Sequence, residues 1–404
     1  MPDTGRASAS SGEPDVGDVA AGGVVGGNAR RGDAGMGEVD VADVLAAQSR
    51  LRRYLPVTPM HHAERFGVML KLENLQRTGS YKVRGALNAL LAARERGDRR
   101  PVICASAGNH AQGLAWAAYR LGVQAITVMP HGAPENKIAG VAHWGATVRQ
   151  HGDSYDEAYA FACELAEQNG YRFLSAFDDP DVIAGQGTVG IEIAAHAPDV
   201  VIVPIGGGGL ASGVALALKA QGVRVVGAQV EGVDSMARAI RGDTTPRDPA
   251  RSLADGVRVR VPGFLTRRLC ARLLDDVVIV REAELRETLV RLALEENLIA
   301  EGAGALALAA GRRVAGRRKC AVVSGGNIDA ATLATLLSEV RPRPPRKPRR
   351  RVGELPPEQA DPALARKVAV AKSRPAATLS PSPTISVPTA PSAPQPVSEE
   401  EFTW

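Results

Sequence analysis

Short aliphatic runs alternate along the chain with longer segments in which apolar residues recur every three or four positions. The runs have the length of strands buried on both faces, and the longer segments have the period of amphipathic helices. We therefore predict strands at residues 68–72, 102–105, 125–129, 200–205, 223–230, 277–280 and 319–323. We predict helices at about residues 80–97, with Ser80 as the cap, and at about 110–121, 134–144, 154–169, 182–196, 209–221, 282–297 and 304–315.

This alternation of strands and helices determines the predicted fold class. A strand, a helix and a second strand form a right-handed crossover, so the sheets are expected to be parallel and covered by helices. Seven or more such units within about 300 residues are too many for one small sheet. We predict an α/β protein with two lobes and a cleft between them.

Composition divides the 404 residues into three parts. Residues 1–40 are rich in Gly, Ala and Asp without periodicity, and residues 341–404 are rich in Pro, Ser and Thr. Neither end has enough apolar residues to offset the entropy of ordering its chain. We predict a disordered leader at 1–40, a folded body at 41–340 and a disordered tail at 341–404.

The net charge of +5 belongs to the tail, because residues 341–404 carry 11 Lys or Arg and 6 Asp or Glu, whereas residues 1–340 carry 38 of each kind. The basic run at 341–351 is dense enough for salt-sensitive binding of nucleic acid or another anion. It contains no aromatic residues for base stacking, so a solvated charge run is favoured over a nucleic-acid interface.

The expected location follows from apolar stretches and cysteines. No apolar stretch approaches the ~20 residues of a membrane span, and the N-terminus lacks the basic start and apolar core of a secretory signal. Cys104, Cys163, Cys270 and Cys320 are scattered and show no metal-binding spacing. We predict free thiols in a reducing compartment, and therefore a cytoplasmic protein.

Four segments at predicted strand and helix boundaries carry residues suited to ligand chemistry. The first contains Lys82, in the first turn of a predicted helix, where the helix dipole disfavours a cation. A lysine there is either solvated or held nearly neutral, and a neutral amine can form a Schiff base with an aldehyde. From this segment alone, a solvated surface lysine is the favoured interpretation.

The second segment follows the second predicted strand and contains Ser106, Ala107, Gly108, Asn109 and His110. Small residues at the start of a helix let backbone N–H groups approach an anion such as a carboxylate. The side chain of Asn109 can hydrogen-bond a ligand hydroxyl or phenolate. Taken alone, the segment also fits an ordinary turn with an asparagine cap.

The third segment places four consecutive glycines, Gly206, Gly207, Gly208 and Gly209, after a predicted strand and before Leu210. Such a run has high chain entropy unless a ligand needs the bare backbone, and a phosphate on N–H groups is such a ligand. The run lacks the Lys of a Walker loop and the spacing of a dinucleotide-binding motif. A flexible turn is a weak alternative between an aliphatic strand and an aliphatic helix.

The fourth segment, Ser324-Gly325-Gly326-Asn327, places a neutral hydroxyl at a strand end, although a simple turn fits it equally well. Together the four segments supply an amine, a carboxylate nest, a phosphate nest and two neutral hydrogen-bonding groups. Pyridoxal 5′-phosphate, a phosphorylated aromatic aldehyde, requires such a set of groups.

Across these segments the chain resembles the fold-type II pyridoxal-phosphate enzymes, and within them the serine/threonine dehydratase (threonine ammonia-lyase) family. The resemblance extends from about residue 54 to residue 327. It is also carried by YLPVTP at 54–59, KLENLQ at 71–76, VIAGQGT at 182–188, LADGV at 253–257 and EGAGAL at 301–306. It implies a two-lobed architecture like that of the tryptophan synthase β chain, with a smaller lobe at about 86–180 inserted in the larger one.

The resemblance also implies roles for individual residues. Lys82 would be both the Schiff-base lysine and the base that moves the Cα proton. Cofactor contacts would come from Asn109 to the ring oxygen, from Gly206, Gly207, Gly208, Gly209 and the Leu210 amide to the phosphate, from Ser324 to the pyridine nitrogen, and from Phe177 near the ring. Backbone amides around Ser106, Gly108, Asn109 and His110 would bind the substrate carboxylate.

The implied activity is β-elimination from L-threonine, giving 2-oxobutanoate and ammonia, and from L-serine, giving pyruvate. A hydroxyl such as that of Ser324 cannot hold the pyridine nitrogen protonated as a carboxylate would, which favours loss of the β-hydroxyl over transamination. The resemblance further implies a homo-oligomer, a dimer or tetramer, that acts on small amino acids. The preference for threonine or serine, and a catabolic role or one in isoleucine biosynthesis, stay open.

Two related activities and a metal site are the alternatives. Serine racemases of the same fold carry a serine where this chain has Ala107, and because alanine cannot deliver a proton, racemisation is disfavoured. Leu210 and residues 84–86 resemble the dehydratases rather than the β-replacement synthases. Some relatives bind a cation through a Glu where this chain has Gln229, so we predict no essential metal.

Overall fold

The computed structural model of the chain describes residues 39–339, which form ten β-strands and twelve α-helices. The predicted leader at 1–40 lies outside the described residues as far as residue 38, and the predicted tail at 341–404 lies outside them entirely. The boundaries proposed for these end segments therefore stay predictions.

The strands divide between two sheets and pair almost entirely in parallel. In chain order they are β1 (Met60–Ala63), β2 (Val68–Leu72), β3 (Val102–Ala105), β4 (Ala125–Met129), β5 (Thr147–Gln150), β6 (Arg172–Phe173), β7 (Val200–Pro204), β8 (Arg224–Val230), β9 (Asp276–Val280) and β10 (Lys319–Val323). The larger sheet has the order β1-β2-β10-β7-β8-β9 and the smaller sheet β5-β4-β3-β6. Among the described strands, β1 alone pairs antiparallel to its neighbour. The predicted α/β class with parallel sheets is confirmed.

Helices connect most of the strands. In chain order they are α1 (Val41–Leu51), α2 (Lys82–Glu95), α3 (Asn109–Leu121), α4 (Glu135–Ala142), α5 (Tyr155–Asn169), α6 (Pro180–Ala194), α7 (Gly209–Lys219), α8 (Ser235–Ile240), α9 (Phe264–Leu273), α10 (Glu282–Glu296), α11 (Gly302–Ala310) and α12 (Ala330–Ser338). Within residues 39–339, no helix combines the length and apolarity needed to cross a bilayer.

Both faces of the larger sheet are covered by helices. On one face α10 and α11 pack through residues such as Leu289 and Leu306, and on the other α1, α6, α7 and α9 pack through residues such as Ile183, Val214 and Leu269. Strands that are covered on both faces read as nearly continuous apolar runs. This is why β7 and β10 are recognisable in the sequence by their aliphatic residues, which are 200–203 in β7 and 321–323 in β10.

The smaller sheet is also covered on both faces, by α2, α3 and α4 on one side and by α5 on the other. We call the smaller sheet with α3, α4 and α5 the smaller lobe. Helix α2 packs against α3 of this lobe and also against α6, which covers the larger sheet. Helix α2 therefore contacts both the smaller lobe and a helix that covers the larger sheet. Its first residue is Lys82.

The start of α2 differs from the prediction. Ser80, the predicted cap, does not cap the helix, which begins two residues later without a side-chain cap. Ser80 instead has an extended backbone and forms a bridge with Gly325, while the Tyr81 N–H donates to the Ser324 carbonyl oxygen at 3.1 Å. Pairing with the chain that follows β10, rather than local capping, thus determines where α2 begins.

Two other helices have boundaries unlike the predicted ones. Helix α6 begins before residue 182, because the Asp179 carboxylate caps the Val182 N–H at 3.0 Å and Pro180 occupies the first turn, where a missing N–H costs nothing. Helix α11 spans Gly302–Ala310 rather than 304–315. The sequence analysis also missed β1, β5, β6, α1, α8, α9 and α12.

Candidate active site

Lys82 places its amine inside the protein at the N-terminus of α2. Its Nζ donates a hydrogen bond to the carbonyl oxygen of Ala176 at 2.8 Å. Burial lowers the pKa of Lys82 to about 8, although the negative charge of Glu301 acts in the opposite direction. The neutral, nucleophilic amine is therefore populated near neutral pH. These observations favour the reactive lysine over the solvated surface lysine.

The loop between β3 and α3 combines an open backbone with a neutral histidine. The Gly108 N–H donates to Ser106 Oγ at 3.2 Å, and a Cβ built on Gly108 would meet no atom within 4 Å, so this backbone borders open space. His110 Nε2 donates to the Leu174 carbonyl oxygen at 3.2 Å, whereas the buried Nδ1 has no partner. Burial, with the nearby charge of Lys82, lowers the pKa of His110 to about 3.

The four glycines at residues 206–209, here called the glycine loop, leave no room for side chains. A Cβ on Gly207 would overlap the ring of Phe177, and a Cβ on Gly209 would lie 2.9 Å from the Phe177 carbonyl oxygen. Gly208, the N-cap residue of α7, has a φ of 99°, which L side chains rarely adopt. The Thr266 hydroxyl donates to the Gly207 carbonyl oxygen at 2.6 Å and fixes the loop.

An anion fits at this loop because the first N–H groups of a helix have no acceptors within the helix. The predicted phosphate residues occupy these positions in order: Gly206 and Gly207 precede the N-cap, Gly208 is the N-cap, and Gly209 and Leu210 are the first residues of α7.

Two further side chains follow strands of different sheets, Ser324 after β10 of the larger sheet and Asn109 after β3 of the smaller one. Ser324 directly follows β10, is 3% exposed, and donates from Oγ to the Ala303 carbonyl oxygen at 3.2 Å. The Asn109 amide is held at both ends, since Nδ2 donates to Glu301 Oε1 at 2.6 Å and Oδ1 accepts from Asn327 Nδ2 at 2.8 Å. Asn109 opens α3 of the smaller lobe, so these bonds cross the cleft.

Contacts between neighbours bring the four predicted segments together. The acceptor of the Lys82 bond, Ala176, precedes Phe177, which packs on the glycine loop. Tyr81, adjacent to Lys82, bonds the Ser324 carbonyl oxygen. The amine, the two loops predicted to bind anions and the hydroxyl thus surround one cleft between the two sheets.

The sequence matches the family model described as pyridoxal-phosphate dependent enzyme over residues 51–325, more than half of the chain and all four segments in part or whole. The chain belongs to this family of pyridoxal-phosphate dependent enzymes. The protein is therefore an enzyme with pyridoxal 5′-phosphate as its cofactor, and the predicted fold-type II architecture is confirmed.

Individual relatives of this pyridoxal-phosphate enzyme are similar over nearly their whole length. The catabolic L-threonine dehydratase TdcB of Escherichia coli K12 is 40% identical over 313 residues, which cover 73% of this chain and 95% of that protein. The solved structure of processed threonine deaminase isoform 2 from Solanum lycopersicum has a TM-score of 0.69 at 35% identity, covering 74% and 86% of the two chains. Maize serine racemase has a TM-score of 0.70 at 29% identity, covering 75% and 98%.

The residues around the cleft fit the cofactor. A buried amine with a lowered pKa suits an aldehyde, and a helix N-terminus whose first N–H groups have no acceptor within the helix suits a phosphate. The hydroxyl of Ser324 is a neutral group of the kind that a pyridine nitrogen accepts as a partner.

Glu301 is a site residue that the sequence analysis did not single out, although it quoted the segment 301–306. Its carboxylate is 7% exposed and is bonded by Asn109. Burial, reinforced by the negative charge of Asp255, raises the pKa of Glu301 to about 7. The signal that could have found it is an acidic residue beside three small residues in an otherwise apolar helix start, which is costly unless the carboxyl has a partner.

Gln229, predicted to stand where some relatives have a cation-binding Glu, has both ends of its amide occupied by backbone. Nε2 donates to the Ile205 carbonyl oxygen at 3.2 Å, and Oε1 accepts from the Ala237 N–H at 2.8 Å. Among residues 39–339 there is no group of three or more His, Cys, Asp or Glu side chains suited to a metal ion. The absence of an essential metal stays a prediction.

Proposed function

We propose that the protein is a threonine ammonia-lyase, which converts L-threonine to 2-oxobutanoate and ammonia and L-serine to pyruvate and ammonia. The observation that carries the proposal is the pairing of a buried amine with a lowered pKa, Lys82, with a hydroxyl rather than a carboxylate at the end of β10. The similarity to the dehydratase of Escherichia coli and the deaminase of Solanum lycopersicum supports it.

We propose the following division of work. When bound, the cofactor supplies an aldehyde for the substrate amine and a ring that withdraws electrons from the substrate Cα. Neutral Lys82 takes the Cα proton, and the N-terminus of α2 disfavours the resulting cation, so the proton is readily passed on. The N–H groups from Ser106 to His110 hold the substrate carboxylate.

Ser324, Asn109 and the glycine loop hold the cofactor in this proposal. Ser324 would offer the ring nitrogen a neutral hydroxyl once that hydroxyl turns away from the Ala303 carbonyl oxygen. The ring would then withdraw electrons less strongly than with a carboxylate partner, so loss of the Cα proton would be coupled to departure of the β-hydroxyl, which would leave as water with a proton from the cofactor phosphate. Asn109, oriented by Glu301 and Asn327, offers its amide to the ring oxygen. The glycine loop and the Leu210 amide hold the phosphate, with Phe177 packed behind them.

Racemisation is the second candidate, because the fold is similar to that of maize serine racemase. A racemase must deliver a proton to the face of Cα opposite Lys82. Ala107, in the loop that would border that face, has no titratable group. We therefore expect elimination to dominate over racemisation.

The experiment that tests the function measures 2-oxoacid release from L-threonine, L-serine and their D-isomers by purified protein, with chiral analysis of the recovered substrate. Borohydride reduction followed by peptide mapping then locates the cofactor. We expect 2-oxobutanoate from L-threonine and L-serine recovered without inversion. We also expect the reduced cofactor, here called the label, to be covalently attached to Lys82.

Lys82→Ala should lower kcat by at least about 10³-fold and abolish the label, because the variant loses both the cofactor bond and the base. Ala107→Gly is the matched control within the same cleft and should retain elimination. Release of D-serine without 2-oxoacid would contradict the proposed function, and a label on another lysine would contradict the proposed role of Lys82.

We further propose that the enzyme is a cytoplasmic homo-oligomer, a dimer or tetramer. Neighbouring exposed apolar side chains support assembly, since Val57, Leu75 and Tyr119 are 72%, 56% and 62% exposed. Leu75 lines one surface hollow with Pro56 and Trp144, and the Trp144 ring contacts that of Tyr119. Sedimentation velocity measures the mass directly, and a monomer at all concentrations would contradict the proposed assembly.

A further inference from the structure

Four charged side chains are buried between β2, α2 and α6, and none of them belongs to the predicted cofactor or substrate sites. They are Lys71, Glu73, Arg84 and Glu192, here called the charge cluster. The side chains of Lys71 and Glu73 are fully buried, that of Arg84 is 2% exposed and that of Glu192 is 10% exposed. Such residues are almost never buried unless they are paired.

Arg84 lies at the centre of the charge cluster and uses all five of its N–H groups. Nε and Nη2 donate to the two oxygens of Glu73 at 2.7 and 2.8 Å. Nη1 and Nη2 donate to the two oxygens of Glu192 at 2.7 and 2.9 Å, and Nη1 also donates to Thr188 Oγ1 at 3.1 Å. The two carboxylates thus fix both the orientation of the guanidinium plane and its position.

Lys71 completes the cluster and balances its charge. Its Nζ donates to Glu192 Oε2 at 2.5 Å and to the Thr58 carbonyl oxygen at 2.7 Å, and the Thr58 hydroxyl donates to Glu73 Oε1 at 2.5 Å. Although burial favours the neutral acid, the bonds and charges of Arg84 and Lys71 keep the pKa of Glu192 below its ordinary value. Two cations and two carboxylates leave the cluster neutral.

Stability alone does not account for this arrangement, because a buried ion pair is commonly no more stabilising than apolar side chains of the same volume. The charge cluster instead constrains the rotation of α2 about its own axis. Arg84 follows Lys82 by two residues, which places the two side chains about 200° apart around the helix axis. The cluster therefore holds α2 from the side opposite the Lys82 amine.

The partners of Arg84 lead to other parts of the site. Glu192 lies on α6, the helix that follows Ala176, whose carbonyl oxygen accepts the bond from Lys82. Lys71 pairs in register with Val322 of β10, the strand that Ser324 directly follows. The charge cluster thus connects the elements that carry the amine, the acceptor of its hydrogen bond and the hydroxyl.

Close backbone packing against α6 also makes α2 sensitive to small displacements. A Cβ on Gly185 of α6 would lie 2.7 Å from the Cα of Gly85, the residue after Arg84. The Gly85 N–H also donates a hydrogen bond to Gln186 Oε1 of α6 at 3.2 Å. A rotation of α2 that moved Lys82 would have to break both contacts and the paired bonds of Arg84.

We propose that Arg84, through its paired hydrogen bonds to Glu73 and Glu192, is a positioning residue that fixes the rotation of α2 and thereby holds the Lys82 amine at the cofactor. The inference rests on the role proposed above for Lys82. It adds a requirement for a planar, two-sided donor at residue 84, which a lysine of the same charge cannot meet.

The decisive variant is Arg84→Lys, which keeps the charge and removes the planar fork. We expect kcat to fall by about 10- to 100-fold, because small misplacements of a reacting group have effects of that size, while KM changes by less than about threefold. The circular dichroism of the bound cofactor and the yield of borohydride-trapped label on Lys82 should fall together. A change confined to stability would move neither of these two readouts.

The matched control is Arg96→Lys, the same substitution directly after α2. Arg96 also pairs with α6, through Asp181 at 2.5 Å, but its side chain is 57% exposed. Because exposed pairs contribute little, kcat, cofactor dichroism and label yield should stay within about twofold of the native enzyme.

A second pair of variants separates position from charge balance and remains informative if one of them folds poorly. Arg84→Met leaves an excess carboxylate in the cluster, whereas Arg84→Met combined with Glu192→Gln is again neutral. We expect the double variant to recover thermal stability relative to Arg84→Met but to keep a kcat at least about tenfold below native.

Native kcat, dichroism and label yield in Arg84→Lys, or recovery of native kcat in the neutral double variant, would overturn the positioning role while leaving the proposed function intact. Labelling of Lys82 in the native enzyme is measured before any variant is tested. If Lys82 of the native enzyme carries no label, the proposed role of Lys82 is overturned, and the positioning role with it.

Discussion

At the residue scale, three side chains close to one another titrate far from their ordinary values. Burial lowers the pKa of Lys82 to about 8 and that of His110 to about 3, and it raises the pKa of Glu301 to about 7. Each shift favours the neutral form, as expected where water is excluded. Around the cleft, burial therefore has a larger effect on ionisation than the charges of neighbouring residues.

A prediction about acid stability follows from His110. Its pKa is about 3 in the folded state against 6.5 as the ordinary value, so the unfolded chain binds the proton first. The free energy of unfolding should fall as pH falls from 6.5 towards 3, with His110 contributing about a tenfold change in the unfolding constant per pH unit. Urea unfolding of native enzyme and His110→Gln across this range measures that contribution.

The glutamine variant keeps a donor for the Leu174 carbonyl oxygen and has no titratable ring. Its stability should therefore decline less steeply between these pH values, whereas above about pH 7 the two proteins should show the same pH dependence. Parallel curves throughout the acid range would mean that His110 is protonated in the folded state.

At the element scale, α6 and α7 pack so closely that glycine is required where they meet. A Cβ on Gly213 of α7 would overlap the Ile183 carbonyl oxygen and lie 2.6 Å from the Gly187 nitrogen. These contacts involve backbone atoms, which cannot rotate away. Since α7 begins with the glycine loop and α6 follows Phe177, this packing also sets the distance between the two sides of the predicted phosphate site.

We predict that Gly213→Ala lowers the free energy of unfolding by about 1–3 kcal/mol, because overpacking against backbone exceeds the gain in helix propensity. Gly140→Ala is the matched control within a helix. A Cβ there would meet nothing closer than Gln112 Cδ at 3.8 Å. Chemical denaturation of both variants checks the sign: the control should be stabilised by about 0.5–1 kcal/mol, and equal stabilisation of Gly213→Ala would contradict the close packing.

At the scale of the whole molecule, ion pairs join the smaller lobe to the chain that follows β8. Lys137 of α4 pairs with Asp255 at 3.3 Å, and Asp156 of α5 pairs with Arg260 at 3.1 Å. All four side chains are partly or well exposed, so salt can screen them. Together with the bonds of Asn109, these pairs cross the cleft in which substrate is proposed to bind.

We predict that Lys137→Gln combined with Asp156→Asn raises KM for threonine by about two- to tenfold at low ionic strength, because each exposed pair contributes up to about 1 kcal/mol. At about 1 M salt the KM values of variant and native enzyme should converge, since the Debye length falls to about 3 Å. Asp98→Asn, which breaks a pair with Arg100 away from the cleft, is the control. A KM difference that persists at high salt would show that these pairs do not act through charge.

The sequence alone determined the aliphatic strands and the four segments of the candidate site. Strands such as β3, β4, β7 and β10 are covered on both faces, so nearly every position is apolar, apart from Thr127 of β4 and Lys319 at the start of β10, and the run is visible without a structure. The glycine loop and Lys82 stand out for a similar reason, because the phosphate nest and the reactive amine proposed for them tolerate few other residue types at a helix start.

Tertiary structure alone decided the missed elements and the partners of buried polar groups. Strand β5 lies at a sheet edge with mostly exposed residues, so it has no aliphatic run to reveal it. Ser80 fits a cap locally, but pairing with Gly325 places it in an extended strand-like segment. Glu301 and Asn109 are 192 residues apart in the chain and bond across the cleft. Local sequence determines residue type and period, whereas burial and ionisation depend on neighbours that only folding brings into contact.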